Sequence, residues 1–263
     1  MQKNISKFAY EMGKDSFVLI WRVWFYVLLV ITILLMIPGL LILTSKDRYY
    51  PTFWKMVRVW AFILVYGMGF RIKKEIEQEL DIHQSYMFCP NHASLLDPFV
   101  LITLSKNPIV FVGKKELVNI PIFGFFYKRV VIMVDRSCPK SRKRVYTLAK
   151  DKLKGGTSVG IFPEGLVPDY QVILAPFRDG AFSLAMEFEI PIVPQTYFDC
   201  KRHFSWNFLR GGPGIFRVKQ HHFIETKGLS SKKDLSLLKE KTFNTIYNDL
   251  VNDELYMKDT NSR

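Results

Sequence analysis

CPNHASLLDPF, Cys89 to Phe99, follows the short apolar run Tyr86-Met87-Phe88 and sets four residues between His92 and Asp97. The apolar run predicts a buried strand. Ser94-x-x-Asp97 has the form of a capping box, and Asp97-Pro98 that of an N-cap followed by proline at the first helical position. Both predict that a helix starts here. Within a regular helix, a five-residue separation turns two side chains well apart, at roughly 100° per residue. His92 is therefore expected in the turn before the helix, with Asp97 folded back onto Nδ1 and Nε2 left open. A histidine oriented by a carboxylate is the minimal general base for activating a hydroxyl.

Outward from this stretch, short apolar runs alternate with helical patterns. Strands are expected at Pro108–Gly113, Val130–Arg136, Thr157–Phe162, the IPIVPQTYF run from Ile190, and Gly214–Phe223. Helices are expected over Lys140–Lys154, over 178–189, and in a last segment with Leu235, Leu238, Phe243, Ile246, Tyr247 and Leu250 at helical spacing. Lys114–Arg129 reads as short helices broken at Pro121 and Gly124, and Arg71–Tyr86 as a polar lead-in to the folded part. This alternation predicts an α/β sheet domain. It contains no internal repeat and no low-complexity linker.

Before that domain the sequence is different. Val23 to Ser45 carries no charge over 23 residues, and roughly 20 suffice to cross a bilayer. The run is too long for a signal peptide and no small-residue cleavage site follows. Pro38-Gly39 is a candidate bend. Thr52–Phe70 mixes Lys55 and Arg58 with Trp54, Trp60 and Tyr66, a composition suited to a membrane interface. Lys3, Lys7, Lys14 and Arg22 precede the apolar run, and Lys46, Arg48, Lys55 and Arg58 follow it. With both flanks basic, two helices dipping into one leaflet as a hairpin is the expected arrangement, and a single full span is the rival. The expected organisation is thus 1–70, membrane-associated helices, and 71–263, an α/β domain.

At 263 residues, 49% of them hydrophobic, the chain can bury one good core and is not disordered. The formal charge of +13 implies an anionic partner. Ten Lys or Arg against two acids between Lys128 and Lys154 suit an anionic leaflet or an acidic acyl carrier protein. No nucleic-acid-binding motif is present, so nucleic acid is not the expected partner. Cys89, Cys138 and Cys200 are too few and too scattered for a disulfide framework or a zinc site. Cys89 or Ser94 with His92 would make a hydrolase nucleophile, the rival chemistry.

Further along lie FPEG (Phe162 to Gly165), Asp135-Arg136 and Ile190-Pro191-Ile192-Val193-Pro194, each at an expected strand end or entrance. Singly each is a common turn. In this order and spacing, NHASLLD, GKKEL…IPIFG…VDR, FPEG and IPIVP resemble the four motifs of the glycerolipid acyltransferase family, which acylates lysophosphatidic acid. The resemblance covers roughly residues 70 to 225, and the hydrophobic N-terminus also suits it. It implies a mixed sheet flanked by helices, with an N-terminal hydrophobic helical membrane hairpin.

It further implies His92 as base and Asp97 as its orienting acid. Asn91, Lys114, Lys115, Arg136, Glu164, Gly165 and Arg178 would be substrate contacts, with Arg136, Lys114 or Lys115, and Arg178 on the phosphate. The co-substrate would be an acyl-CoA or acyl-ACP thioester, with no metal or redox cofactor. The acceptor would be a lysophospholipid, with glycerol-3-phosphate or a lyso-ornithine lipid as alternatives. The implied location is a membrane, with the catalytic domain on the cytoplasmic face of a bacterial inner membrane. Phe123, Phe125 and Phe126 are either core or lining for the acyl chain. Two departures stand out. After Glu164-Gly165 the family commonly continues Thr-Arg-Ser, whereas this chain reads Leu166-Val167-Pro168-Asp169. Val130 stands where the second motif commonly has glycine. The missing loop arginine is what makes Arg178 a candidate substitute.

Overall fold

The structure, a computed structural model, describes residues 2–120, 123–134, 139–154 and 156–261. Its centre is β2 (Met87–Pro90), buried along its whole length. A strand covered on both faces must be apolar throughout, as Met-Phe-Cys-Pro is. Alternate side chains then serve two cores: Phe88 packs with Phe53, Ala61, Val193 and Phe216, while Met87 and Cys89 pack with Val110, Ala185 and Ile246.

Around β2 the other strands are β1 (Phe70–Ile76), β3 (Ile109–Lys114), β4 (Val131–Val134), β5 (Ser158–Gly160), β6 (Ile192–Tyr197) and β7 (Gly214–Gln220). They form one sheet in the order β1-β7-β6-β2-β5-β3-β4. Pairing is parallel except between β6 and β7, which are antiparallel, so the sheet is mixed as expected. The lead-in to the domain differs from expectation, because Phe70–Ile76 is a strand. Its charged sequence is tolerated because it is an edge: it pairs with β7 alone and leaves most of its side chains in solvent. Lys and Glu on such an edge also discourage pairing with other chains.

The helices are α1 (Gln2–Leu43), α2 (Tyr50–Gly67), α3 (Asp97–Leu104), α4 (Phe123–Val130), α5 (Pro139–Lys154), α6 (Gly180–Glu187), α7 (Cys200–His203), α8 (Lys232–Asn252) and α9 (Glu254–Asn261). The short α7 and the terminal α9 were not anticipated. α1 runs unbroken through Pro38. One lost backbone hydrogen bond is tolerated here because Gly39 lets Met56 of α2 pack against the helix just past the proline. Nor does Gly124 break a helix: it lies inside α4, where any side chain would run into the Val118 carbonyl.

α1 and α2 form the expected hairpin, and it lies against the sheet. Trp21, Phe25, Leu40, Phe53 and Trp54 share one core with Phe88, Leu101 and Val193. Both ends of the hairpin are tied to the domain. At one end Arg22 donates to the carbonyls of Ser205 (2.8 Å), Asn207 (2.9 Å) and Arg210, while Trp21 Nε1 donates to Met68 O at 2.9 Å and fastens α1 to the end of α2. At the other end Tyr50 Oη donates to Ile109 O at 2.9 Å, and Lys152 pairs with Asp47 at 2.6 Å. The outer face of α1 is apolar and exposed, including Ile20, Val23, Val30 and Leu35. Met12–Leu43 is long and apolar enough to cross a membrane.

Arg22 is the buried charge in this joint, 2% exposed. Arg22→Met keeps the aliphatic bulk but strips three carbonyls of their donor, at about 1–3 kcal/mol for each one left buried. The thermal unfolding midpoint in detergent is expected to fall well below that of the wild type.

Candidate active site

The turn between β2 and α3 delivers the histidine. His92 Nδ1–H donates to Asp97 Oδ2 at 2.7 Å, so the carboxylate does fold back as the spacing required. The capping chemistry differs from expectation. The residue at the N-cap is Leu96, without a side-chain cap, and Asp97 is the first residue of α3. The Asp97 carboxylate instead closes the turn before the helix, accepting from Ala93 N (2.6 Å) and Ser94 N (2.7 Å). Ser94 forms no capping box with Asp97. Its hydroxyl donates to Phe204 O at 2.7 Å and accepts from Leu96 N at 3.1 Å.

Asp97 is fully buried and the His92 side chain is one-fifth exposed. The ring stacks on Phe162 at 4.2 Å between centroids. With Nδ1 committed, Nε2 is the nitrogen left for chemistry. The Cys200 thiol lies beside the Asp97 carboxylate; burial first, then that negative charge, push its pKa well up. Cys89 is wholly buried and burial pushes its thiol far up, which removes it as a nucleophile beside His92.

The FPEG turn comes from the end of β5, next to β2 in the sheet, and so meets His92 where the two strands finish. Ligand sites in open α/β sheets lie at such carboxyl ends. Glu164 was expected at the substrate but points inward. It is 2% exposed, and its two oxygens accept from His92 N at 2.6 Å and Ala175 N at 2.8 Å. Burial raises its pKa to about 7, against the pull of those two N–H groups. Asn91 is also turned into the protein. It is 2% exposed, and its amide exchanges hydrogen bonds with the Tyr197 main chain, donating at 3.1 Å and accepting at 2.7 Å. Both residues hold the histidine turn: Asn91 stitches it to β6 and Glu164 to the β5 loop.

Gly165 takes φ +77°, where a side chain would be strained and a Cβ would lie 2.6 Å from Arg178 Nε. The exposed Arg178 thus lies across the loop that lacks the family's usual arginine, with its backbone N donating to Pro163 O at 2.8 Å. Lys114 is the last residue of β3, described by its backbone, and Lys115 is exposed just beyond it. Arg136 lies outside the described residues.

One further residue escaped the sequence reading. Lys201, in α7, is only 5% exposed, with Nζ donating to Val172 O at 2.7 Å. It sits 5.2 Å from the ring centre of Tyr170 and 5.4 Å from that of Tyr256. Burial lowers its pKa to about 8, and the Glu164 carboxylate opposes the shift. Its only sequence signal was a basic residue soon after the strand of the fourth motif.

The Acyltransferase family model matches residues 71–197, which contain this whole turn system apart from Lys201. The chloroplastic 1-acyl-sn-glycerol-3-phosphate acyltransferase BAT2 of Brassica napus is 29% identical over 64% of this chain and 48% of that one. The 1-acyl-sn-glycerol-3-phosphate acyltransferase of Helicobacter pylori is 31% identical over 44% of this chain and 49% of that one. The chain spans about half the length of the first curated relatives it matches. Among solved structures, the 1-acyl-sn-glycerophosphate (LPA) acyltransferase PlsC of Thermotoga maritima superposes with a TM-score of 0.74. At 18% identity it covers 92% of this chain and 98% of that one, and it shares the fold.

The pH dependence of stability tests the burial of Glu164. Its folded pKa lies above its ordinary value of 4.5, at about 7, so the folded state holds the proton more tightly than the unfolded chain. The contribution of this group to stability therefore falls as pH rises from about 4.5 to about 7, then levels off. Glu164→Gln removes that slope. The urea midpoint of the variant, followed between pH 4.5 and 7, is expected to drop less with rising pH than that of the wild type.

Proposed function

We propose that this chain, whose residues 71–197 match the Acyltransferase family model, moves a fatty acyl group from a thioester to the free hydroxyl of lysophosphatidic acid, giving phosphatidic acid. The observation that carries this reading is the 2.7 Å His92–Asp97 pair at the ends of the central strands, with the FPEG turn bonded to the His92 backbone. His92 Nε2 takes the proton of the acceptor hydroxyl as that oxygen attacks the thioester carbonyl. The tetrahedral adduct collapses, the C–S bond breaks, and the thiolate leaves, with the His92 proton available to it. Asp97 fixes the tautomer and stabilises the imidazolium, as the carboxylate of a catalytic triad does. The hydroxyl of the acceptor is the nucleophile, so no covalent acyl-enzyme is required.

Arg178, with Lys114 or Lys115 and Arg136, is assigned to the acceptor phosphate, which guanidinium matches in shape and charge. An acyl-CoA or acyl-carrier-protein thioester serves as donor, with no metal or redox group. The loop Leu166–Asp169, without an arginine of its own, is the one feature that favours a different acceptor, glycerol-3-phosphate or a lyso-ornithine lipid.

An assay of purified membranes with labelled acyl donor against a panel of these acceptors tests the reading. His92→Ala is expected to lower acyl transfer by about 10²- to 10⁴-fold, the usual worth of a positioned base, with folding retained. Arg178→Ala is expected to raise the KM for the phosphorylated acceptor roughly tenfold with little change in kcat, as loss of a charge-assisted hydrogen bond would. Full activity in His92→Ala removes the base.

We also assign the 1–70 segment to a monotopic hairpin and 71–263 to the catalytic domain, on the cytoplasmic face of the membrane. From Arg22 to Leu43 α1 is about 30 Å long. Ties to one globular domain at both ends, through Arg22 and through Asp47 and Tyr50, are hard to reconcile with a helix that leaves that domain to cross a bilayer. In sealed inner-membrane vesicles, a tag at Met1 is expected to show the same protease accessibility as one at the C-terminus. Opposite protection means a full span.

A further inference from the structure

We propose that the loop Ser205–Arg210 is a second membrane-contact element, inserting Trp206, Phe208 and Leu209 into the lipid surface beside α1. The inference rests on the reading that the outer face of α1 is in lipid. Trp206 is 58% exposed, Phe208 44% and Leu209 50%, a concentration of large apolar side chains unusual for a solvated loop. They continue an existing surface. The Phe208 ring stacks on Tyr26 of α1 at 6.1 Å with 2° between planes. Tyr26 lies among the exposed Val23, Val27 and Val30.

The backbone of the loop supports the same conclusion. A segment dipping below the headgroups needs protein partners for its carbonyls, because the hydrocarbon core holds no water. The carbonyls of Ser205, Asn207 and Arg210 all accept from the Arg22 guanidinium, which also lies 4.2 Å from the Phe204 ring centre. The polar main chain is thus capped from inside while the apolar side chains point out. Tryptophan at the rim of such a surface suits the headgroup level. The loop and the residue just before it, Phe204, also touch the candidate site on two sides. Ser94 of the histidine turn donates to Phe204 O, and Arg210 sits 5.3 Å from the ring centre of Tyr170 in the loop after Gly165. Lipid contact at this loop therefore falls beside the entrance that a lysolipid would use.

Fluorescence quenching tests the proposal on the full chain in phosphatidylcholine–phosphatidylglycerol vesicles whose acyl chains carry bromine near the headgroup end. Two conservative variants are compared with the wild type: Trp206→Tyr, and Trp24→Tyr on the exposed face of α1. The expected result is a loss of quenchable emission in both, with the component removed by Trp206→Tyr blue-shifted relative to exposed tryptophan. If only Trp24→Tyr lowers the quenching, α1 is in lipid, the loop is not, and the proposal is overturned. If neither does, the membrane reading of α1 fails and takes the proposal with it. Unquenched Trp206 emission together with cross-linking of two chains through this loop overturns it in favour of a second copy.

Discussion

The structure depends on one buried carboxylate. Asp97 is fully buried, and removing such a charge from water is costly unless hydrogen bonds replace its hydration. Three donors do so at one oxygen: the backbone N–H groups of Ala93 and Ser94 and Nδ1 of His92. The same contacts that stabilise the charge also define the turn. The chain between β2 and α3 has to curl around the carboxylate, and this curl holds the imidazole at the end of the central strand. The orientation of the imidazole and the satisfaction of a buried charge are one arrangement here.

The neighbouring residues reinforce that arrangement from three directions. Asn91 ties the turn to β6 through the Tyr197 main chain, Glu164 ties it to the β5 loop, and Ser94 ties it to Phe204. Phe204 packs against Trp21 and Phe25 of α1, so the hairpin and the histidine turn share a wall. The apolar N-terminal helices are thus part of the core under the histidine turn. Arg22 marks the junction, a buried guanidinium in an apolar helix whose partners are all main-chain carbonyls. Lys201 has the matching position on the other side, a buried ammonium near Glu164 that also holds the loop following the FPEG turn.

Much of this was legible in the residues. Met87-Phe88-Cys89 announced a buried central strand, and the His92–Asp97 spacing required the carboxylate to fold back. What misled was local chemistry with two uses. Ser94 and Asp97 have the sequence of a capping box, yet both side chains serve the turn ahead of the helix. Arg71–Ile76 looks too charged for a strand until its edge position is known. Asn91 and Glu164 stand in motifs that suggest substrate contact, but their polar atoms bond backbone groups, those of Tyr197 and His92 lying far away in sequence and that of Ala175 in the following loop.

The sequence by itself determined the alternation of strands and helices, the apolar N-terminal helices and the pairing of His92 with Asp97. These depend on periodicity and on spacing within a few residues. Only the tertiary structure decided that the hairpin lies along the sheet, that Glu164 is buried against two backbone N–H groups, that Arg178 crosses Gly165, and that Lys201 is buried near Glu164. Each of these rests on pairing between distant segments, and no local pattern encodes which strand ends will meet.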